Sequence, residues 1–299
     1  MKGKPLQLLE YLISYPIFSI SRMMPHNLID SISLSLGRIL FAVSSKRRSI
    51  AMDNIRNALN IKDDREIKDL AINSFKSFFL TFLEIERIRS RSMRQMIAGI
   101  EKTFIKAKGI HDVTSGCIFV TPHLGNWELL PYIFSSVNIP LTVVVRPLDN
   151  PYLERLLNRQ ASGQVIVSRR DSIFMLKRTL NEGMSIGMLP DQSTMRGVSV
   201  DFFGRKATTT PLPAILAISC RRPIVVVSCC RGDKHYEGFV SEPIYPEYNS
   251  DKRDEILRLT TEMNRMMEDV IKRYPEQYLW MHNRWKTYRR KREFLSGII

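Results

Sequence analysis

The chain has 299 residues, 44% hydrophobic and 25% charged, with 45 Lys and Arg against 30 Asp and Glu for a formal net charge of +15. That apolar content excludes a disordered chain and suffices for one large domain, alone or with a helical annex. The charge calls for an anionic partner, yet no nucleic-acid fold motif or periodic aromatic-basic surface accompanies it, which argues against nucleic acid.

The first apolar stretch, residues 6–24, carries Glu10, Pro16 and Arg22, and the second, residues 27–45, carries Asp30 and Arg38. Neither offers the roughly 18 uninterrupted apolar residues of a confident spanning helix, and no cleavable signal peptide is evident. The pattern predicts one or two helices lying in a membrane interface. Tyr11, Tyr15 and the cluster Lys46-Arg47-Arg48 would anchor them to an anionic surface. Residues 1–45 are therefore read as a membrane-associating helical region and residues 46–299 as the catalytic domain. A helix follows over about residues 63–89, where Ile67, Leu70, Ala71, Phe75, Phe78, Phe79, Phe82 and Leu83 recur at helical spacing. Its phenylalanine stripe suits core packing or the lining of an acyl-chain groove.

The apolar run Cys117-Ile118-Phe119-Val120 predicts a buried strand, at whose end stands Thr121-Pro122-His123-Leu124-Gly125-Asn126-Trp127-Glu128. On one continuous helix His123 and Glu128 would lie about 140° apart, at roughly 100° per residue. Across a strand-loop-helix corner they can meet, and open α/β sheets place their sites at such corners. A histidine held by a carboxylate is a general base for a hydroxyl. No second histidine lies near enough for a zinc signature.

Strands and helices then alternate. Residues 141–145, 165–167, 185–189 and 223–230 read as strands, and residues 152–160, 173–181, 213–219 and 251–274 as helices. The class is an α/β single-domain layered sandwich, with a central mixed, mostly parallel sheet flanked by helices and an N-terminal hydrophobic helical anchor. Cys117, Cys220, Cys229 and Cys230 form no C-x-x-C pair and read as reduced core residues of a protein facing the cytoplasm, with the adjacent Cys229 and Cys230 on opposite sheet faces. Three strand ends carry polar residues: His123 with Glu128, Arg146 with Asp149 and Asn150, and Asp191 with Gln192. A loop at residues 200–204 and the hydroxyl run Thr208-Thr209-Thr210 follow.

The ordered set His123-Leu124-Gly125-Asn126-Trp127-Glu128, Arg146-Pro147-Leu148-Asp149-Asn150-Pro151, Leu189-Pro190-Asp191-Gln192, Phe202-Phe203-Gly204 and Thr208-Thr209-Thr210 resembles the bacterial lipid A late acyltransferases, the lauroyl and myristoyl transferase group of the lysophospholipid acyltransferase superfamily. The resemblance spans about residues 40–290, including the closing Gln277-Tyr278-Leu279-Trp280-Met281-His282-Asn283-Arg284-Trp285. It implies transfer of a fatty acyl chain from acyl carrier protein, or acyl-CoA, to a hydroxyl of a lipid A precursor at the cytoplasmic face of a bacterial inner membrane. His123 would be the base and Glu128 its orienting carboxylate, while Arg159 and Asp191 match functional residues of the family.

The chemistry fits that implication. A thioester donor and a hydroxyl acceptor need a base, a group to steady the imidazolium and donors for the tetrahedral oxyanion. Arg146, Arg159, Asp191 and Gln192 are the candidates for substrate or oxyanion contacts, and Arg146, Arg169 and Arg170 for acceptor phosphates. No G-x-S-x-G elbow is present, which favours direct transfer, and neither metal nor cofactor is expected. The alternatives are an acyltransferase for another membrane glycolipid or a lysophospholipid, and a non-catalytic membrane-bound protein of the same fold.

Overall fold

The computed structural model describes residues 4–21, 23–85, 87, 91–144, 150–157, 172–249 and 251–286. Its centre is a five-stranded sheet in the order β2-β3-β1-β6-β7. The strands are β1 (Ile118–Val120), β2 (Leu141–Val143), β3 (Ser185–Met188), β6 (Ile224–Arg231) and β7 (Tyr236–Val240). All pairs are parallel except β6 with β7, which makes the sheet mixed, as expected. The strand expected at residues 165–167 lies outside the described residues.

Successive strand residues feed opposite cores, because side chains alternate across a pleated sheet. Ile118, Val120, Ile186, Met188, Ile224 and Val226 join one cluster, which also holds Leu259, Met263 and Met267 of the long helix α11 (Lys252–Arg273). Cys117, Phe119, Val225, Val227 and Cys229 join the other, under α6 (Ile100–Thr114) and α7 (Leu130–Ser136). Cys229 and Cys230 fall in different clusters, and all four cysteines are buried and free. The shorter helices are α5 (Arg91–Ile97), α9 (Ser172–Asn181) and α10 (Leu212–Cys220), the last two where the sequence places them.

The segment expected to be a loop at residues 200–204 is instead the corner of a hairpin, β4 (Val198–Phe202) and β5 (Arg205–Thr209). Val198, Val200 and Phe202 point inward and Ser199 and Asp201 outward. The turn residues Phe203 and Gly204 both have positive φ, 52° and 68°, the arrangement that matches the twist of a two-residue hairpin.

At the N-terminus, α1 (Lys4–Ser21) and α2 (His26–Val43) pack on the domain by one face each. Asn150 caps α8 (Pro151–Leu157) through Tyr152 N–H at 3.0 Å, and its Nδ2 donates to the Gln7 carbonyl of α1 at 2.8 Å. Helix α2 buries Ile29, Ser33, Gly37 and Phe41 against α4 (Asp64–Ile85). A Cβ on Gly37 would come 2.7 Å from the Lys76 nitrogen, so the small residue permits this approach. The opposite faces expose Leu8, Leu12, Tyr15, Ile20, Leu28, Ile39 and Val43. Among the described residues no single helix is long and apolar enough to cross a membrane; α2 and α3 (Ser45–Leu59) pass the test only as a pair bent by 102°.

Candidate active site

The site forms at the C-terminal ends of the parallel strands. Because β1 and β3 are direct neighbours in register, the segments leaving them put His123 beside Asp191. The His123 Nδ1 to Asp191 Oδ1 distance is 2.6 Å, and Asp191 Oδ2 accepts the His123 backbone N–H at 2.8 Å. With its Nδ1 proton on Asp191, the ring keeps its lone pair on Nε2. The side-chain nitrogen of Gln192 lies 3.3 Å from that Nε2. The Trp127 ring meets the imidazole edge-on, 5.1 Å between centroids.

The carboxylate on the His123 Nδ1 is Asp191. The backbone after His123 is drawn off towards β6: Gly125 pairs with Cys229, and Asn126 donates its N–H to the Cys229 carbonyl at 2.8 Å. Gly125 enables the turn with φ of 62°, and a Cβ there would overlap the Cys229 carbonyl oxygen. Glu128 follows, half-buried, in a single 3₁₀ turn (Trp127–Leu129) that leads into α7.

Asp191 is 2% exposed. Burial pushes its carboxyl up, but the attraction of His123, the two hydrogen bonds to that residue and the field of Arg284 together hold it below the usual carboxylate range. The site therefore contains a buried anion poised to steady an imidazolium.

The C-terminal segment, a closing motif in the sequence, has a structural task in the fold. Residues 277–285 cross over the His123 loop as a strap. Leu279 N–H donates to the His123 carbonyl at 3.0 Å, and Gly125 N–H to the Gln277 carbonyl at 3.3 Å. Tyr278 is buried beside Asp191, and burial, with the Asp191 charge adding to it, raises its hydroxyl well above the ordinary value. His282 Nε2 accepts the Ser193 N–H at 3.2 Å, and burial lowers its basicity, so the ring is a neutral acceptor that pins the loop after Asp191. Arg284, 1% exposed, donates to the Thr208 carbonyl at 2.9 Å and to Thr209 Oγ1 at 2.5 Å and lies 4.8 Å over the Phe202 ring.

Some of the basic surplus is thus used inside the molecule. Arg47 donates to the Met281 carbonyl at 3.1 Å, and Arg48 closes the end of α2 through the Phe41 and Ala42 carbonyls at 2.8 and 2.9 Å. Arg146, Arg159, Arg169 and Arg170 lie outside the described residues. Among the described residues no three His, Cys, Asp or Glu side chains are grouped to hold a metal ion. A cavity of about 570 Å³ opens next to the strap, lined by His26, Lys76, Arg231, His235 and Gln277 among others, but His123 and Asp191 do not border it.

A base on a buried carboxylate, with its second nitrogen facing an exposed glutamine, is equipped to take a proton from an incoming hydroxyl. The chain compares with known proteins in the same sense. Residues 4–287 match the model of the bacterial lipid A biosynthesis acyltransferase family. The lipid A biosynthesis lauroyltransferase of Escherichia coli K12 is 26% identical over 275 residues, 88% of this chain and 87% of the relative. The palmitoleoyltransferase of the same organism is 23% identical over 278 residues, again 88% and 87%. A phosphatidylinositol mannoside acyltransferase of Mycolicibacterium smegmatis is 25% identical over 182 residues, 58% of each chain. With a family match over nearly its whole length, the chain belongs to the bacterial lipid A biosynthesis acyltransferases and is an O-acyltransferase.

Proposed function

We propose that this enzyme moves a fatty acyl chain from the thioester of acyl carrier protein to a hydroxyl of a lipid A precursor, working at the cytoplasmic face of the inner membrane. The observation that carries the reading is His123, fixed through Nδ1 by Asp191 and presenting Nε2 at the exposed side of the strand ends. The acceptor hydroxyl displaces the Gln192 amide from Nε2 and gives up its proton as its oxygen attacks the thioester carbonyl. The C–O bond forms, the carbonyl π pair moves onto oxygen, and Asp191 steadies the imidazolium. Collapse of the tetrahedral species breaks the C–S bond, and the imidazolium returns its proton to the departing thiolate. No acyl-enzyme is formed.

Gln192 and Arg159 are assigned to the oxyanion, and Arg146 to the acceptor phosphates. Glu128, next to Trp127 at the start of the following turn, is assigned to the acceptor side of the base. Phe78, Phe79 and Phe82 cluster edge-to-face at 5.0 and 5.5 Å on the helix whose Thr81 hydroxyl bonds the Gly125 carbonyl at 2.9 Å; they are assigned to the acyl chain. The exposed apolar faces of α1 and α2 are assigned to the membrane interface.

The deciding experiment is acyl transfer by the purified enzyme in detergent, with acyl carrier protein or coenzyme A thioesters, and a lipid A precursor or a mannosylated phosphoinositide as acceptor. Product mass spectrometry is expected to show acylated lipid A precursor from the carrier-protein thioester, and acylation of the mannoside alone would reject the acceptor.

A further inference from the structure

Glu84 is a carboxylate that the chemistry above does not use. It sits fully buried on α4, and its Oε2 accepts from Asn126 Nδ2 at 2.8 Å, the Tyr236 hydroxyl at 2.5 Å, Arg231 Nη2 at 2.6 Å and Arg231 Nε at 3.0 Å. Arg231, at the end of β6, also reaches Thr81 Oγ1 at 3.0 Å, and Thr81 donates to the Gly125 carbonyl at 2.9 Å. Two branches of one network thus end on consecutive residues of the loop that carries His123.

Burying such an ion pair is unfavourable, and an apolar pair of similar volume would stabilise a fold as well or better. A network of this kind contributes by fixing geometry. The loop needs that, because within four residues of His123 the chain must pass the glycine turn and launch Trp127 against the imidazole. Asp191 and Leu279 hold one side of the loop, and the other side rests on Glu84 and Arg231.

We infer that Glu84, Arg231, Thr81 and Asn126 form a positioning clamp that sets His123 Nε2 for attack, so that their loss impairs the chemical step and spares substrate binding. This rests on His123 as the base. A base displaced by about 1 Å loses on the order of a hundredfold in rate.

The test uses the full chain in detergent. Asn126→Ala cuts the link and leaves the Glu84 and Arg231 pair intact, and Thr81→Val cuts the second branch at nearly constant volume. Each is expected to lower kcat about tenfold to a hundredfold with KM for both substrates within about twofold. In a His123→Ala background neither should reduce the residual rate further, since a clamp acts only through the base. Unchanged kcat in both variants, or losses that multiply fully with that of His123→Ala, would overturn the clamp while leaving the base in place. Wild-type activity of His123→Ala would overturn the base assignment and the clamp with it.

Discussion

Asp191 grips His123 twice, its Oδ1 2.6 Å from the ring Nδ1 and its Oδ2 2.8 Å from the backbone nitrogen. The second contact fixes where the residue stands and the first fixes which way its ring is protonated. His123→Ala is expected to reduce acyl transfer to a small residual rate and leave the thermal unfolding profile of the detergent-purified enzyme nearly unchanged. Asp191→Asn keeps the shape but favours the wrong tautomer, which should cost about three to four orders of magnitude in kcat. Glu128→Gln should act mainly on the KM for the acceptor. A larger kcat loss for Glu128→Gln than for Asp191→Asn would reverse the two assignments.

Acid should destabilise the fold in two steps. His282 is less basic folded than unfolded, so as pH falls through its ordinary value of about 6.5 the unfolded chain binds the proton first and stability drops. Asp191 has a depressed folded pKa, so its contribution is complete above the ordinary value of about 3.9 and is lost as pH falls through the folded one. Melting curves across this range check both signs. The gap between wild type and Asp191→Asn should be widest near neutrality and narrow below about pH 4, and a gap that widens in acid would contradict the assignment.

Gly125 and Gly204 both have positive φ, 62° and 68°, yet alanine should separate them. At Gly204 no atom lies within 4 Å of where a Cβ would stand, so Gly204→Ala should cost only about 1 kcal/mol of backbone strain. At Gly125 a Cβ would strike the Cys229 carbonyl as well, so Gly125→Ala should cost about 3 kcal/mol or more. Denaturant midpoints of the two variants give the comparison directly.

Membrane attachment should survive salt. Leu8, Leu12, Ile20 and Met23 are 44%, 58%, 51% and 88% exposed, and such apolar contacts are not screened by ions. In fractionated cells the wild type should remain in the pellet after a high-salt wash. Joint replacement of these four residues by serine should release it, whereas release of the wild type by salt alone would make charge the main attraction.

The parallel strands β1, β3 and β6 are legible because each is a short apolar run followed at once by polar residues, and that also exposes His123 and Asp191 as site candidates. Their union is not legible, since the two lie 68 positions apart and only strand order makes them neighbours. Glu128 is the carboxylate that sequence proximity offers, while the pull of Cys229 on the intervening loop is not visible there. The hairpin at Val198–Thr209 escapes notice although Val198, Val200 and Phe202 alternate with polar residues, because the paired aromatics at Phe202-Phe203-Gly204 suggest a binding loop before they suggest a turn. Arg47 and Arg48 read as surface charge, yet each donates to backbone carbonyls. Composition records a guanidinium but not whether water or the fold receives its protons.

The strap at residues 277–285 has a consequence for biogenesis. Chains are made from the N-terminus, so the loops of His123 and Asp191 are complete while the residues that bind Leu279, His282 and Arg284 still await their partners. The base and its carboxylate are translated well before the segment that locks them together. A chain not yet translated through this segment would therefore hold His123 and Asp191 without the contacts of Leu279, His282 and Arg284 that order their loops.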